Sequence, residues 1–462
     1  MSARLVRIAI LVFLCAAWSV LGQQGPDDYP HKPTVLAYIE AFNSGDESKM
    51  AAFFTANLVE TSLQQRPMAE RLERYRAMHG TLQNLTLRAI AEIEMSPEKQ
   101  SITAAMRAAN GDAVTITFRF DPQPPNKLLG LGVELSGPDE GPPVPAAKAP
   151  LTMTEEGLKR ELAAYLDEAS KRDEFSGVVL VARHGTAIFQ QAYGDADKQT
   201  KAPNRIDTKF NLGSINKVFT RICIEQLVAA GKVSMDDTIG KFLPGYPNQE
   251  AAQKVTVRQL VNMTSGIGDF FGDRYTTTPK ENLRTLTDYL PLFADKPLLF
   301  APGTQERYSN GGYVVLGLII EKVSGESYYD YVKKNLFEPA DMADTDYYLI
   351  DQKVANRAEG YTRAGSAAGV WANNRDSRPA RGSSAGGGYS TAPDLLRFTS
   401  ALASGKIRSS VPGLGIAGGA PGTNAALEFN PKQDYAIVVL SNYDPPSAER
   451  IARQIREWMR SL

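Results

Sequence analysis

Residues 210–219 read Phe210-Asn211-Leu212-Gly213-Ser214-Ile215-Asn216-Lys217-Val218-Phe219, and the chemistry of the larger part of the chain turns on this stretch. Ser214 and Lys217 stand three residues apart, a spacing that sets an amine beside a hydroxyl on one helix face. Val218, Phe219, Ile222 and Leu227 continue at helical spacing and Gly231 closes the run. The sequence therefore predicts an amphipathic helix with Ser214 at its N-terminus, where free N–H groups and the helix dipole favour developing negative charge. Taken alone, the same pattern fits a plain serine N-cap with a solvated lysine. The rest of the chain decides between them.

Other routes to a reactive serine fail. Gly382-Ser383-Ser384-Ala385-Gly386 matches Gly-x-Ser-x-Gly, but a nucleophile elbow needs a strand before it and a histidine after it. Asn373 to Arg381 is polar and loop-like, and no histidine follows Ser384. Only His31, His79 and His184 exist, and His184 sits in a tight-turn sequence, so a Ser-His-Asp triad has no base. The same scarcity argues against a zinc site; neither a metal nor a cofactor is expected. Ser96-Pro97-Glu98-Lys99 repeats Ser-x-x-Lys, yet Pro97 and its polar surroundings read as a turn.

Two further elements accompany Ser214. Tyr308-Ser309-Asn310 precedes a helical run with Val314, Leu316, Leu318 and Ile319, adding a second hydroxyl and an amide. Tyr246-Pro247-Asn248 shares the Tyr-x-Asn pattern but lies in a Pro-Gly-Tyr-Pro turn. Near the end, Gly415-Ile416-Ala417-Gly418-Gly419-Ala420-Pro421-Gly422 offers backbone N–H groups that can approach a substrate closely.

In this order, Ser214 to Lys217, Tyr308 to Asn310 and then a Gly-rich strand, the chain resembles the class C β-lactamase and penicillin-binding protein-like superfamily of serine hydrolases. Supporting phrases are Phe175-Ser176-Gly177-Val178-Val179-Leu180, Thr264-Ser265-Gly266, Pro302-Gly303-Thr304 and Gly386-Gly387-Gly388-Tyr389-Ser390-Thr391. The resemblance implies an α/β β-lactamase-like domain over 152–462, an antiparallel sheet flanked by terminal helices beside a mostly helical subdomain. It implies Ser214 as nucleophile and Lys217 with Tyr308 as proton shuttles. Backbone N–H groups of Ser214 and Gly419, next to Gly418, would form the oxyanion hole, with Asn310 orienting substrate. Where the family usually carries Lys or His, this chain has Ile416, which favours neutral esters over substrates bearing a carboxylate. Arg378 or Arg381 offers a cation from another direction. The expected activity is hydrolysis of ester or amide bonds, an esterase first. The alternatives are a β-lactamase, a D-stereospecific peptidase, or a catalytically weak binding or sensing protein.

Outward from that domain, the composition is globular. Of 462 residues, 43% are hydrophobic and 22% charged, and Lys plus Arg total 51 against 52 for Asp plus Glu. No overall field exists to recruit nucleic acid or an anionic membrane, so a small ester, amide or peptide is the expected partner. Arg4 and Arg7 before the apolar run Ile8 to Leu21 read as a signal peptide over 1–22, with cleavage near Gln23 and a periplasmic or secreted product without a stable span. Bulky Leu14 before Cys15 argues against lipidation, and removal of the leader leaves Cys223 without a disulfide partner.

Residues 29–135 have their own pattern. Leu36, Ile39 and Phe42 predict one helix, Gly45-Asp46 ends it and caps the next with Met50, Phe53 and Phe54, and a third follows around Glu70 to Met78. Strands are predicted over Thr86 to Glu94, Ser101 to Ala108 and Ala113 to Phe120, the last two joined at Asn110-Gly111. With the phrase Tyr38-Ile39-Glu40-Ala41-Phe42-Asn43-Ser44-Gly45-Asp46, this segment resembles an NTF2-like α+β domain. Residues 136–151, rich in Pro, Gly and Ala, read as a linker.

Overall fold

The computed structural model describes residues 29–95, 100–109, 112–138, 153–363, 370–460 and 462. The expected leader, the Ser96 to Lys99 and Asn110-Gly111 turns and nearly all of the expected linker lie outside these residues. The chain divides into two compact units, one described as far as Pro138 and the other from Met153.

In the first unit, helices α1 (Lys32–Asn43), α2 (Glu47–Asn57) and α3 (Met68–Leu82) precede four strands, β1 (Leu85–Met95), β2 (Gln100–Ala108), β3 (Asp112–Phe120) and β4 (Leu128–Pro138). The strands form one antiparallel sheet in sequential order. Asp46 caps α2 by accepting the Ser48 N–H. Alternate residues of β2 and β3, including Ile102, Ala104, Ile116 and Phe118, meet Val35, Tyr38 and Phe42 in one core. Two expectations are corrected. The buried stripe of α1 is Val35, Tyr38, Ala41 and Phe42, whereas Leu36 is 44% exposed. Strand β4 was not expected, because Gly130 and Gly132 interrupt the apolar alternation by which a strand is recognised; it also runs into the stretch read as linker.

The second unit opens with helix α4 (Glu155–Lys171), capped by Thr154, whose hydroxyl accepts the Gly157 N–H. Strands β5 (Gly177–Arg183) and β6 (Thr186–Tyr193) follow, joined at His184-Gly185 with both residues at positive φ, as a tight hairpin turn requires. Short strand β7 (Phe210–Asn211) leads through a single 3₁₀ turn, Gly213–Ile215, into α5 (Asn216–Ala229). The middle of the unit is largely helical and includes α6 (Asn310–Ser324). After it come β8 (Tyr389–Ser390), α7 (Ala392–Ala403), β9 (Leu414–Ala420), β10 (Thr423–Asn430), β11 (Tyr435–Ser441) and α8 (Ser447–Met459).

The two ends of the unit share one antiparallel sheet of order β9-β10-β11-β5-β6. Both its faces are covered, which is why β5 and β11 are apolar at nearly every position. Val179, Val181, Ile437 and Val439 point to a core with Leu158 and Leu162 of α4 and Ile451, Ile455 and Trp458 of α8. Val178, Leu180, Val438 and Leu440 point the other way, into the core shared with α5 and α6. Leu462 lies beyond the end of α8 and is 37% exposed.

Candidate active site

The turn that carries Ser214 is held from three sides. Asn211 Oδ1 accepts the Gly213 N–H at 2.9 Å, β7 pairs with β8, and the Leu212 N–H bonds Gly388 O at 2.8 Å. Gly213 has φ 49°, the left-handed region that favours glycine. Edge strand β9 closes the third side so tightly that a Cβ on Gly418 would fall 2.0 Å from Leu212 O and 2.7 Å from Ser214 N. Ser214 thus lies in a 3₁₀ turn two residues before the α-helix, not on its first residue, and Lys217 is the second residue of α5.

Lys217 is buried, and its Nζ reaches three oxygens: Asn310 Oδ1 at 2.7 Å, Ala385 O at 2.5 Å and Ser214 Oγ at 3.1 Å. Burial lowers its pKa to about 7, against the opposing pull of Asp269. A neutral amine has two N–H donors and one lone pair. Asn310 and Ala385 offer acceptors only, so they take the two hydrogens and leave the lone pair for the Ser214 hydroxyl. The Tyr308 ring covers the amine from 4.6 Å, and its Oη lies 2.5 Å from Ser214 Oγ. Burial pushes the Tyr308 phenol above its usual range, opposed by the Ser214 hydrogen bond and aided by Asp269. It is a neutral hydroxyl at neutral pH.

Ser309, between Tyr308 and Asn310, caps α6 by accepting the Gly312 N–H at 2.8 Å and donates to Gly268 O at 3.1 Å. That cap fixes the residues on either side. Asn310 stands between Lys217 and Asp269, donating from Nδ2 to Asp269 Oδ2 at 2.7 Å. Its amide therefore orients the amine as well as lining the cavity.

Sequence reasoning missed Asp269 and Ala385. Asp269 stands three residues after the phrase Thr264-Ser265-Gly266, and no spacing ties it to Asn310. Ala385 acts through its carbonyl, which leaves no trace in residue type. It belongs to the Gly-x-Ser-x-Gly match, whose serine is fully buried and donates to Tyr313 O at 2.8 Å, while Ser384 O accepts from Thr220 Oγ1 at 2.6 Å. That segment supports the Ser214 turn from beneath.

Ser214, Tyr308, Asn310 and Gly419 line one cavity of about 750 Å³, which also includes Arg378. Arg378 is ion-paired with Glu359 at 3.2 Å and donates to Tyr389 Oη at 2.5 Å. Arg381 lies over the Tyr329 ring at 3.6 Å and bonds Tyr347 O, outside the lining. Ile416 packs, half-buried, against the core shared with α5, because alternation on β9 turns it with Leu414 and Gly418 away from Ala417 and Gly419.

The sequence signature of the family described as Beta-lactamase matches residues 162–411. Penicillin-binding protein 4* of Bacillus subtilis (strain 168) is 32% identical over 208 residues, 44% of this chain and 45% of that protein. The chain spans about half the length of the curated relatives it matches. Among solved structures, the penicillin binding protein from Bacillus halodurans is 30% identical with TM-score 0.58, covering 63% of this chain and 98% of that one. The D-stereospecific amidohydrolase from Streptomyces sp., at 22% identity and TM-score 0.55, covers 66% of this chain and 98% of its own and shares the fold. The chain belongs to the Beta-lactamase family, and its C-terminal unit has the penicillin-binding protein-like serine hydrolase fold.

Proposed function

We propose that the C-terminal unit hydrolyses neutral esters through an acyl-enzyme on Ser214. The observation that carries this reading is the buried Lys217 amine, with two acceptors fixed on its hydrogens and its third contact the Ser214 hydroxyl. The neutral amine takes the Oγ proton as Oγ bonds the ester carbonyl carbon. The oxyanion that forms is stabilised by the N–H groups of Ser214 and Gly419. Both residues line the one cavity, and a Cβ on Gly213 would lie 3.0 Å from Gly419 N, which supports this reading. As the tetrahedral species collapses, the ester C–O bond breaks, the departing alkoxide takes a proton from Tyr308 Oη, and the proton that Lys217 took from Oγ passes to the Tyr308 oxygen, leaving both groups neutral. Water then attacks the acyl carbon and gives a proton to the Lys217–Tyr308 pair, and that proton passes to Ser214 Oγ as the Oγ–acyl bond breaks and the carboxylic acid leaves.

Charge in the cavity favours a neutral substrate. Arg378 and Glu449 are the charged residues among its described lining, and Arg378 is already neutralised by Glu359. A carboxylate would lack a charge-assisted hydrogen bond, about 1.5 to 3 kcal/mol or roughly 10- to 150-fold. We read the first unit, with helices before an antiparallel sheet, as an NTF2-like accessory domain, and the chain as exported on the strength of residues 1–22.

The test is fluorophosphonate labelling with peptide mass mapping, alongside turnover of p-nitrophenyl acetate and a chromogenic cephalosporin. The adduct is expected on Ser214, absent in Ser214→Ala and retained in Ser384→Ala, with the ester hydrolysed faster than the cephalosporin. Labelling that survives in Ser214→Ala and vanishes in Ser384→Ala would overturn the nucleophile. A faster cephalosporin would overturn the substrate class alone.

A further inference from the structure

The cavity beside Ser214 has a wall that the reaction steps leave unused. Phe270, Phe271, Tyr275 and Tyr289 all line it. Their rings form one contiguous group, with centroids 4.4 Å apart for Phe270 and Phe271, 4.8 Å for Phe271 and Tyr275, and 5.0 Å for Phe270 and Tyr289. Phe270 and Tyr289 are buried, yet Phe271 is 54% exposed.

That exposure is built into the backbone. Asp269 Oδ1 accepts the Phe271 N–H at 2.9 Å, while the other oxygen of the same carboxylate holds Asn310. One side chain therefore holds both the partner of the Lys217 amine and the backbone from which the Phe271 ring projects. An apolar ring held at the cavity rather than in the core leaves surface that gains free energy only when something apolar covers it. The cavity is large enough for a ring or a chain of several carbons next to the ester.

We propose that this aromatic wall receives an apolar group of the substrate, so that the substrate class is esters bearing a phenyl-sized or medium-chain hydrophobic group. The inference rests on the ester reading of the same cavity. Each methylene that reaches the wall raises kcat/KM by about four-fold, the equivalent of burying one CH₂.

Two series of p-nitrophenyl and alkyl esters test this, one lengthening the acyl chain from acetate to hexanoate and one lengthening the alcohol of an acetate. A rise of at least about ten-fold is expected along one of them, the limb that faces the wall, in line with that per-methylene gain. Phe271→Ala should flatten the rise by about ten-fold, and Phe271→Leu, which stays apolar, should keep most of it. Flat series in a protein that turns over acetate overturn this inference and leave the ester reading standing. A separate binding measurement needs no turnover: saturation-transfer NMR of 2-phenylethanol with Ser214→Ala protein. A signal there that Phe271→Ala removes supports the wall even if no ester is hydrolysed. Its absence overturns the wall.

Discussion

At Lys217, buried next to Ser214, the cost of holding an amine out of water is what would make it the base of the proposed reaction. An unperturbed lysine, near 10.4, would be almost fully protonated at neutral pH and could not accept the serine proton. With the value lowered to about 7 by burial, half the molecules hold the neutral form near neutrality. The sign follows directly: the active form gains population as pH rises through about 7, and kcat/KM should fall on the acid side of that value. Asp269 opposes the shift, so Asp269→Asn, which can still accept from Asn310, should move the acid limb to lower pH. A pH profile of ester hydrolysis checks both. An unmoved limb in the variant would show that the carboxylate does not act on Lys217.

Edge strand β9 makes its contribution through missing side chains. Its glycines were legible as a Gly-rich stretch, but a run of glycines reads equally well as turns, and which of them touches the Ser214 turn depends on register. A Cβ at Gly418 would fall 2.0 Å from Leu212 O, whereas one at Gly415 meets nothing within 4 Å. Gly418→Ala should therefore force β9 off the turn and separate the N–H groups of Ser214 and Gly419, costing about 10² to 10³ in kcat, the scale of losing an oxyanion donor. Gly415→Ala should leave kcat within about two-fold, since nothing must move. Steady-state kinetics with thermal melts on both variants distinguish a displaced strand from a lost fold. Equal losses at the two glycines would remove the oxyanion argument. The same dependence on register hid the fourth strand of the first unit, where Gly130 and Gly132 broke the alternation that marked its neighbours.

Across the whole chain, what was legible followed from local chemistry, and what was not came from groups brought together over long separations. Ser214 and Lys217 share one turn, and Tyr308 and Asn310 flank a serine cap, so each pair announces itself in the sequence. Ala385 reaches Lys217 across 168 residues and contributes only a carbonyl; Asp269 is set by a loop whose path no periodicity gives. All these residues belong to the second unit, as do both cores that hold its sheet and helices. The first unit has a separate core and supplies none of the site residues named above. A chain beginning near residue 150 should therefore fold cooperatively and label at Ser214 at a rate within about two-fold of the full protein, as expected for a domain with its own core. Circular dichroism melts and timed fluorophosphonate labelling of the two forms measure this. If the shortened chain melts normally but labels more than ten-fold slower, the first unit acts on the site, and its sheet, not the Ser214 turn, is where the missing contribution must be sought.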